Sequence, residues 1–129
     1  MGYVREVSWE ILLHEDVDRW FLDLCVSDLD TANLVMDAID KLAEDGPTIG
    51  RPLVDRLKGS KYHNMKELRP GSSGSTEIRI LFAFDPVRRA LLLVAGDKSG
   101  DWSGWYRKNI PVAEQRYSEH LDEMKKEDR

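Results

Sequence analysis

EIRILFAFD, at residues 77–85, decides the fold because it shows the clearest strand pattern in the chain. Large apolar side chains stand at every second position, a period that predicts a strand with one face in a core. These positions are Ile78, Ile80, Phe82 and Phe84. After a turn at Asp85-Pro86, ALLLVAG at 90–96 is almost wholly apolar, which is typical of a central strand covered on both faces.

The segments before this pair extend the sheet and precede it with helices. NMKELR at 64–69 predicts a strand that turns in PGSSG at 70–74, so three strands form an antiparallel meander. Residues 49–62 are expected to be a polar loop. A loosely alternating segment at 3–9 predicts an edge strand at the N-terminus.

Two amphipathic helices are predicted between the first strand and the polar loop. Within 14–25, apolar residues recur at positions i, i+3, i+4 and i+7, which describes one helical stripe. A second stripe runs over 32–43 and ends at Gly46-Pro47, and Ser27 is expected to cap this helix. A further helix is predicted to begin near Asn109-Ile110-Pro111, because proline favours the first helical position.

The order of elements predicts an α+β fold: an N-terminal strand and helical hairpin, then an antiparallel sheet meander and a C-terminal helix. A chain of 129 residues without linkers or repeats indicates one domain over 1–129. No apolar run is long enough to span a membrane and no secretory signal is evident, so a cytoplasmic protein is expected. The single cysteine, Cys25, is expected to be a small core residue.

The net charge of −5 argues at first against a nucleic-acid partner, but the charge is unevenly distributed. Residues 1–50 have a net charge of −9, residues 51–108 of +6 and residues 109–129 of −2. The acidic helices are better explained as a solvated face than as a docking face for a basic partner. The predicted sheet therefore offers a cationic surface on an acidic protein.

Four cations, Lys66, Arg69, Arg79 and Lys98, lie on or beside the predicted strands and can converge on one surface. Arg79 is the most informative, because it interrupts a strand interior where an unpaired guanidinium would be costly to bury. It forms either a salt bridge with Glu67 or Asp97, or an anion site, since guanidinium matches phosphate oxygens.

The segment DWSGWYRKN at 101–109 places aromatic residues beside Arg107 and Lys108. Trp102, Trp105 and Tyr106 could stack on unpaired bases, or they could anchor the last helix on the core. Other kinds of site find no support. Glycine, lysine and serine at 96–100 lack phosphate-loop spacing, and the three histidines are too scattered to suggest a metal site.

The motifs LKG at 57–59, MKELR, EIRILFAF and LLLVAGDKS, together with the element order, resemble the RelE/ParE superfamily of type II toxins, most closely its HigB-like branch. The resemblance covers residues 4–121. It implies a RelE-like fold and an endoribonuclease that cleaves mRNA on the ribosome without metal or cofactor. It also implies a cognate antitoxin, often with a helix-turn-helix domain, and no membrane partner.

The resemblance also implies roles for individual residues. In such enzymes the ribose 2′-OH attacks the adjacent phosphate, which requires a base, cations and an acid. The implied catalytic residues are Arg79, Lys66, Glu67, Lys98 and Tyr106, with Arg79 at the phosphate and Glu67 as a base. The expected RNA-binding residues are Arg56, Lys58, Lys61, Arg69, Trp102, Trp105, Arg107 and Lys108. ParE-type members instead poison DNA gyrase, so a gyrase inhibitor without nuclease activity remains an alternative, as does a non-catalytic binding module.

Overall fold

A computed structural model, which describes residues 9–127, shows a five-stranded sheet between two helical layers. The elements in chain order are β1 (Glu10–Leu13), α1 (Glu15–Ser27), α2 (Leu29–Asp45), a 3-10 turn (Gly46–Thr48), β2 (Val54–Arg56), β3 (Met65–Leu68), β4 (Ile78–Phe84), β5 (Arg89–Asp97) and α3 (Trp102–Glu127). The sheet order is β1-β5-β4-β3-β2. All neighbours are antiparallel except β1, which runs parallel to β5, so the predicted α+β architecture is confirmed.

The helical hairpin of α1 and α2 is confirmed, and only Asp28 connects the two helices. Ser27 is the last residue of α1, and Asp28 caps α2 instead, accepting a hydrogen bond from the Thr31 backbone N–H at 3.2 Å. The helix ends at Gly46, as predicted, where a positive φ of 58° favours glycine. Cys25 is only half-buried and does not belong to the central core.

Alternation along β4 divides the core into two layers. Ile80 and Phe82 pack with Leu42 of α2 on the hairpin face of the sheet. Leu81 packs with Tyr117 of α3 on the opposite face. These side chains are at most 3% exposed, so both core layers are shielded from solvent. Helix α3 therefore packs on the face of the sheet to which Arg79 belongs.

Two sequence predictions need correction, and a third falls mainly outside residues 9–127. The strand predicted at 3–9 falls mainly outside the described residues, and β1 follows it at Glu10–Leu13. The predicted polar loop contains β2, a three-residue strand that pairs with β3. The last helix begins at Trp102, so Pro111 lies inside it rather than at its start. None of the helices within residues 9–127 is long and apolar enough to cross a bilayer.

Candidate active site

A cavity of about 570 Å³ opens on the α3 side of the sheet, between the ends of β2 and β3, the turn after β5 and the first turns of α3. Seven of the predicted site residues line it: Arg56, Lys58, Glu67, Arg69, Lys98, Trp102 and Tyr106. The fold thus brings together groups that are up to fifty residues apart in the chain. A cavity of this size can enclose a nucleotide.

Glu67 lies at the centre of the charged groups beside this cavity. Its side chain is 3% exposed, and Oε1 accepts a hydrogen bond from Arg69 Nε at 2.6 Å. The same oxygen lies 3.8 Å from Arg79 Nε. The β3–β4 register explains this approach, because Glu67 opposes Leu81 and Arg79 lies diagonally across, on the same face. A buried carboxylate requires such partners.

Arg79 is held in place but retains hydrogen-bonding capacity. Its Nη1 donates to the Ile78 carbonyl oxygen at 2.8 Å, and its side chain is 15% exposed. Its Nε is buried and makes no hydrogen bond within residues 9–127. The predicted salt bridge of Arg79 with Glu67 is confirmed, at 3.8 Å. The alternative partner, Asp97, instead accepts hydrogen bonds from the backbone N–H groups of Glu77 and Ser99. An anion could therefore reach only the exposed part of the Arg79 guanidinium and not the buried Nε.

Lys98 adds a second cation to the same side of the cavity. Its side chain is only 3% exposed, and Nζ lies 3.7 Å from Glu77 Oε2 and 3.4 Å from the centre of the Trp102 ring. Burial, reinforced by the positive charge of Arg79, lowers the pKa of Lys98. An anion entering the cavity would compensate for both effects, so this lysine is arranged to favour one.

Tyr106 contributes a proton donor beside the cations. Burial and a hydrogen bond with the Glu67 carboxylate raise the pKa of Tyr106 to about 12. The Tyr106 ring also lies beside Lys98, whose Nζ is 5.3 Å from the ring centre. At neutral pH the phenol is therefore protonated and can donate a proton.

The two tryptophans divide the roles left open by the sequence. Trp105 is an anchor: it packs over Gly96, where an added Cβ would lie 2.9 Å from Trp105 Nε1. Gly96 stands opposite Arg79 in the β4–β5 register, so this close approach brings the start of α3 onto the charged face. Trp102 is 58% exposed and covers Lys98, which leaves one face of its ring available for stacking.

Six predicted site residues do not line this cavity: Arg79 and Trp105 lie beside it, behind the lining side chains, and the other four lie elsewhere. Lys66 opposes Phe82 in the register and therefore belongs to the hairpin face, so its predicted convergence with Arg79 is wrong. Consecutive strand residues point to opposite faces, and Glu67 already occupies the cavity face. Lys61, Arg107 and Lys108 are exposed residues outside the lining of this cavity.

Sequence reasoning missed Asp55, which organises the rim of the cavity. Asp55 opposes Glu67 in the β2–β3 register, and its Oδ2 lies 3.2 Å from Arg69 Nη2. Its Oδ1 lies 3.2 Å from Arg51 Nε, and hydrogen bonds from the Arg56 backbone and from Arg51 lower the pKa of Asp55. Only recognition of the short strand β2 would have revealed this role.

The sequence of this chain was compared with protein families, with curated proteins and with solved structures. Residues 23–118 match the family described as "Phage derived protein Gp49-like (DUF891)". Two proteins of Mycobacterium tuberculosis (strain ATCC 25618 / H37Rv) are similar over 106 residues, or 82% of this chain. "Putative toxin HigB2" is 52% identical over 53% of its own length, so the match spans about half of that protein. "Putative toxin HigB3" is 53% identical over 88% of its length. No solved structure matches significantly.

Proposed function

Because this chain belongs to the Gp49-like (DUF891) family, with relatives named as HigB toxins, we propose that it is the toxin of a toxin-antitoxin pair and cleaves mRNA on the ribosome in the cytoplasm. The observation that supports cleavage most strongly is the Arg79 guanidinium, which is partly exposed, is held by the Ile78 carbonyl oxygen and lies beside a protonated phenol and a carboxylate. Such a set serves phosphodiester transfer by the ribose 2′-OH.

Phosphate binding is the first step of the proposed mechanism. Arg79 and Lys98 hold the scissile phosphate, and Arg69 keeps Glu67 oriented through its 2.6 Å hydrogen bond. These cations stabilise the negative charge that grows on the non-bridging oxygens as the 2′-oxygen attacks phosphorus. They are largely shielded from water, which strengthens their effect.

Proton transfer completes the cycle. Glu67 accepts the proton of the attacking 2′-OH, a bond forms between the 2′-oxygen and phosphorus, and the bond from phosphorus to the 5′-oxygen breaks. Tyr106 donates its proton to that leaving oxygen, giving a 2′,3′-cyclic phosphate and a free 5′-OH. After the products leave, Glu67 gives up its proton and the Tyr106 phenolate regains one, which restores the starting state.

Two kinds of partner follow from this proposal. A single RNA strand would stack a base on Trp102 and contact Lys58 and Arg56 at the cavity rim. A cognate antitoxin, for which a helix-turn-helix domain is expected, would neutralise the toxin.

Expression of the chain without an antitoxin tests the proposal. We expect growth arrest and new message 5′ ends, mapped by primer extension, and we expect Arg79→Ala to abolish both while remaining folded. The exposed Lys41, on the hairpin side of the molecule, provides a matched control: Lys41→Ala should stay toxic. DNA breaks with intact message would instead indicate a gyrase poison. No growth effect in the wild type would indicate a non-catalytic binding module.

A further inference from the structure

A second cavity of about 400 Å³ adjoins the first along the edge of the sheet. The two share the wall formed by residues 51 and 55–58, and the second is completed by Ser60, Tyr62, His63 and Met65. We propose that the second cavity binds the nucleoside next to the one held at Trp102, so that the protein grips two consecutive nucleotides of single-stranded RNA. This inference rests on the proposed function.

The deep side of this second cavity is apolar and preorganised. Met65 is 1% exposed and lies in the α3-side core, and Leu57 packs against the same core. The Tyr62 ring stands edge-on to Tyr117, with ring centres 4.9 Å apart, and its hydroxyl is hydrogen bonded to Ser118 of α3. An aromatic and aliphatic surface held in this way suits the flat face of a base.

The loop that closes the cavity is tied to the same helix as the active site. Glu114 Oε2 accepts hydrogen bonds from the Lys61 backbone N–H at 2.6 Å and from Ser60 Oγ at 3.1 Å. Because α3 also provides Trp102 and Tyr106, one rigid element fixes both cavities. Their separation is therefore built into the fold, as required for binding consecutive units of one strand.

The outer side of the cavity is polar and cationic. His63 is exposed there and presents ring nitrogens that can donate to or accept from a base edge. Arg56 and Lys58 are exposed on the shared wall, where the phosphodiester backbone would pass between the two cavities. The second cavity thus has an apolar floor, a polar side chain at its edge and cations on the shared wall. This combination matches the base, base edge and phosphate of a nucleotide better than it matches an acidic peptide, which would need only cations.

Binding of uncleavable ligands tests the inference separately from catalysis. The probes are adenosine 3′-monophosphate and the 2′-O-methyl dinucleotide ApA, with affinities measured by calorimetry. We expect the dinucleotide to bind wild-type protein about tenfold more tightly than the mononucleotide. His63→Ala should reduce that ratio towards one, whereas Lys41→Ala should keep it. Amide NMR signals of residues 60–63 should shift with the dinucleotide and not with the mononucleotide.

The contrary outcomes are distinguishable. Equal affinity for both ligands in the wild type, or a ratio that His63→Ala leaves unchanged, overturns the second subsite and leaves the proposed cleavage standing. Displacement of the dinucleotide from this cavity by a short polyglutamate peptide would show an acidic-peptide surface instead. Absence of binding by either nucleotide would overturn the RNA site as a whole.

Discussion

Replacing Tyr106 with phenylalanine separates chemistry from folding in this site. The change removes one hydroxyl and keeps the ring, which lies edge-on to Trp105 with ring centres 5.3 Å apart. In the proposed mechanism the hydroxyl donates the proton to the leaving 5′-oxygen. Loss of general acid catalysis lowers rates by about 100- to 10,000-fold. We therefore expect cleavage by Tyr106→Phe to fall by at least about 100-fold.

The expected cost in stability is much smaller. The hydroxyl interacts with the charged Glu67 and Arg79 side chains, and a hydrogen bond to a charged group is worth about 2 kcal/mol; Glu67 keeps its 2.6 Å bond from Arg69. For a chain of 129 residues this corresponds to a Tm lower by about 7 °C. The variant should therefore be folded at the temperature of the assay.

The assay is single-turnover cleavage of a defined message on programmed ribosomes, followed by primer extension, with thermal unfolding measured in parallel. Tyr117→Phe is the matched control, because it loses a hydroxyl on the same helix that donates to the Phe84 carbonyl oxygen at 3.1 Å. The control should lose stability and retain activity. A cleavage rate for folded Tyr106→Phe within threefold of wild type would refute the role of Tyr106 as the acid.

Three further predictions concern packing, pH and salt. Gly96→Ala should force Trp105 to move and cost about 1–3 kcal/mol, measured by chemical unfolding; an unchanged midpoint would contradict this. Although burial opposes it, hydrogen bonds from His120 and Arg89 lower the pKa of Asp85 below its usual 3.8. The ionised Asp85 therefore stabilises the fold above about pH 4, and this stabilisation is lost as the pH falls below that value. In Asp85→Asn the free energy of unfolding should depend less on pH below about 4, and an unchanged dependence would contradict this. RNA affinity should fall about tenfold between 50 and 200 mM salt despite the acidic chain, and salt-insensitive binding would count against the cationic site.

The alternating strand and its arginine were predictable from the sequence because both depend on the period of two. Ile80 and Phe82 face one core, so Arg79 had to face the other side, where the cavity lies. The same rule places Lys66 on the wrong face once Glu67 is assigned to the cavity. That error arose from counting cations along a strand without following its faces.

Longer-range packing explains what the sequence could not predict. Pro111 suggested a helix start, yet α3 begins nine residues earlier, because burial of Trp105 and Tyr106 against the sheet stabilises the turns before the proline. Strand β2 has only three residues, one of them apolar, and it exists because Val54 joins the core and pairs with Leu68. The rim aspartate, Asp55, became visible only through that pairing.

Identification of the RNA ends tests the central claim most directly. Wild-type protein added to programmed ribosomes should produce a 2′,3′-cyclic phosphate on the upstream fragment and a 5′-OH on the downstream fragment. Folded Arg79→Ala should produce neither end under the same conditions. Intact message with the wild type, or equal cleavage by Arg79→Ala, would contradict the account.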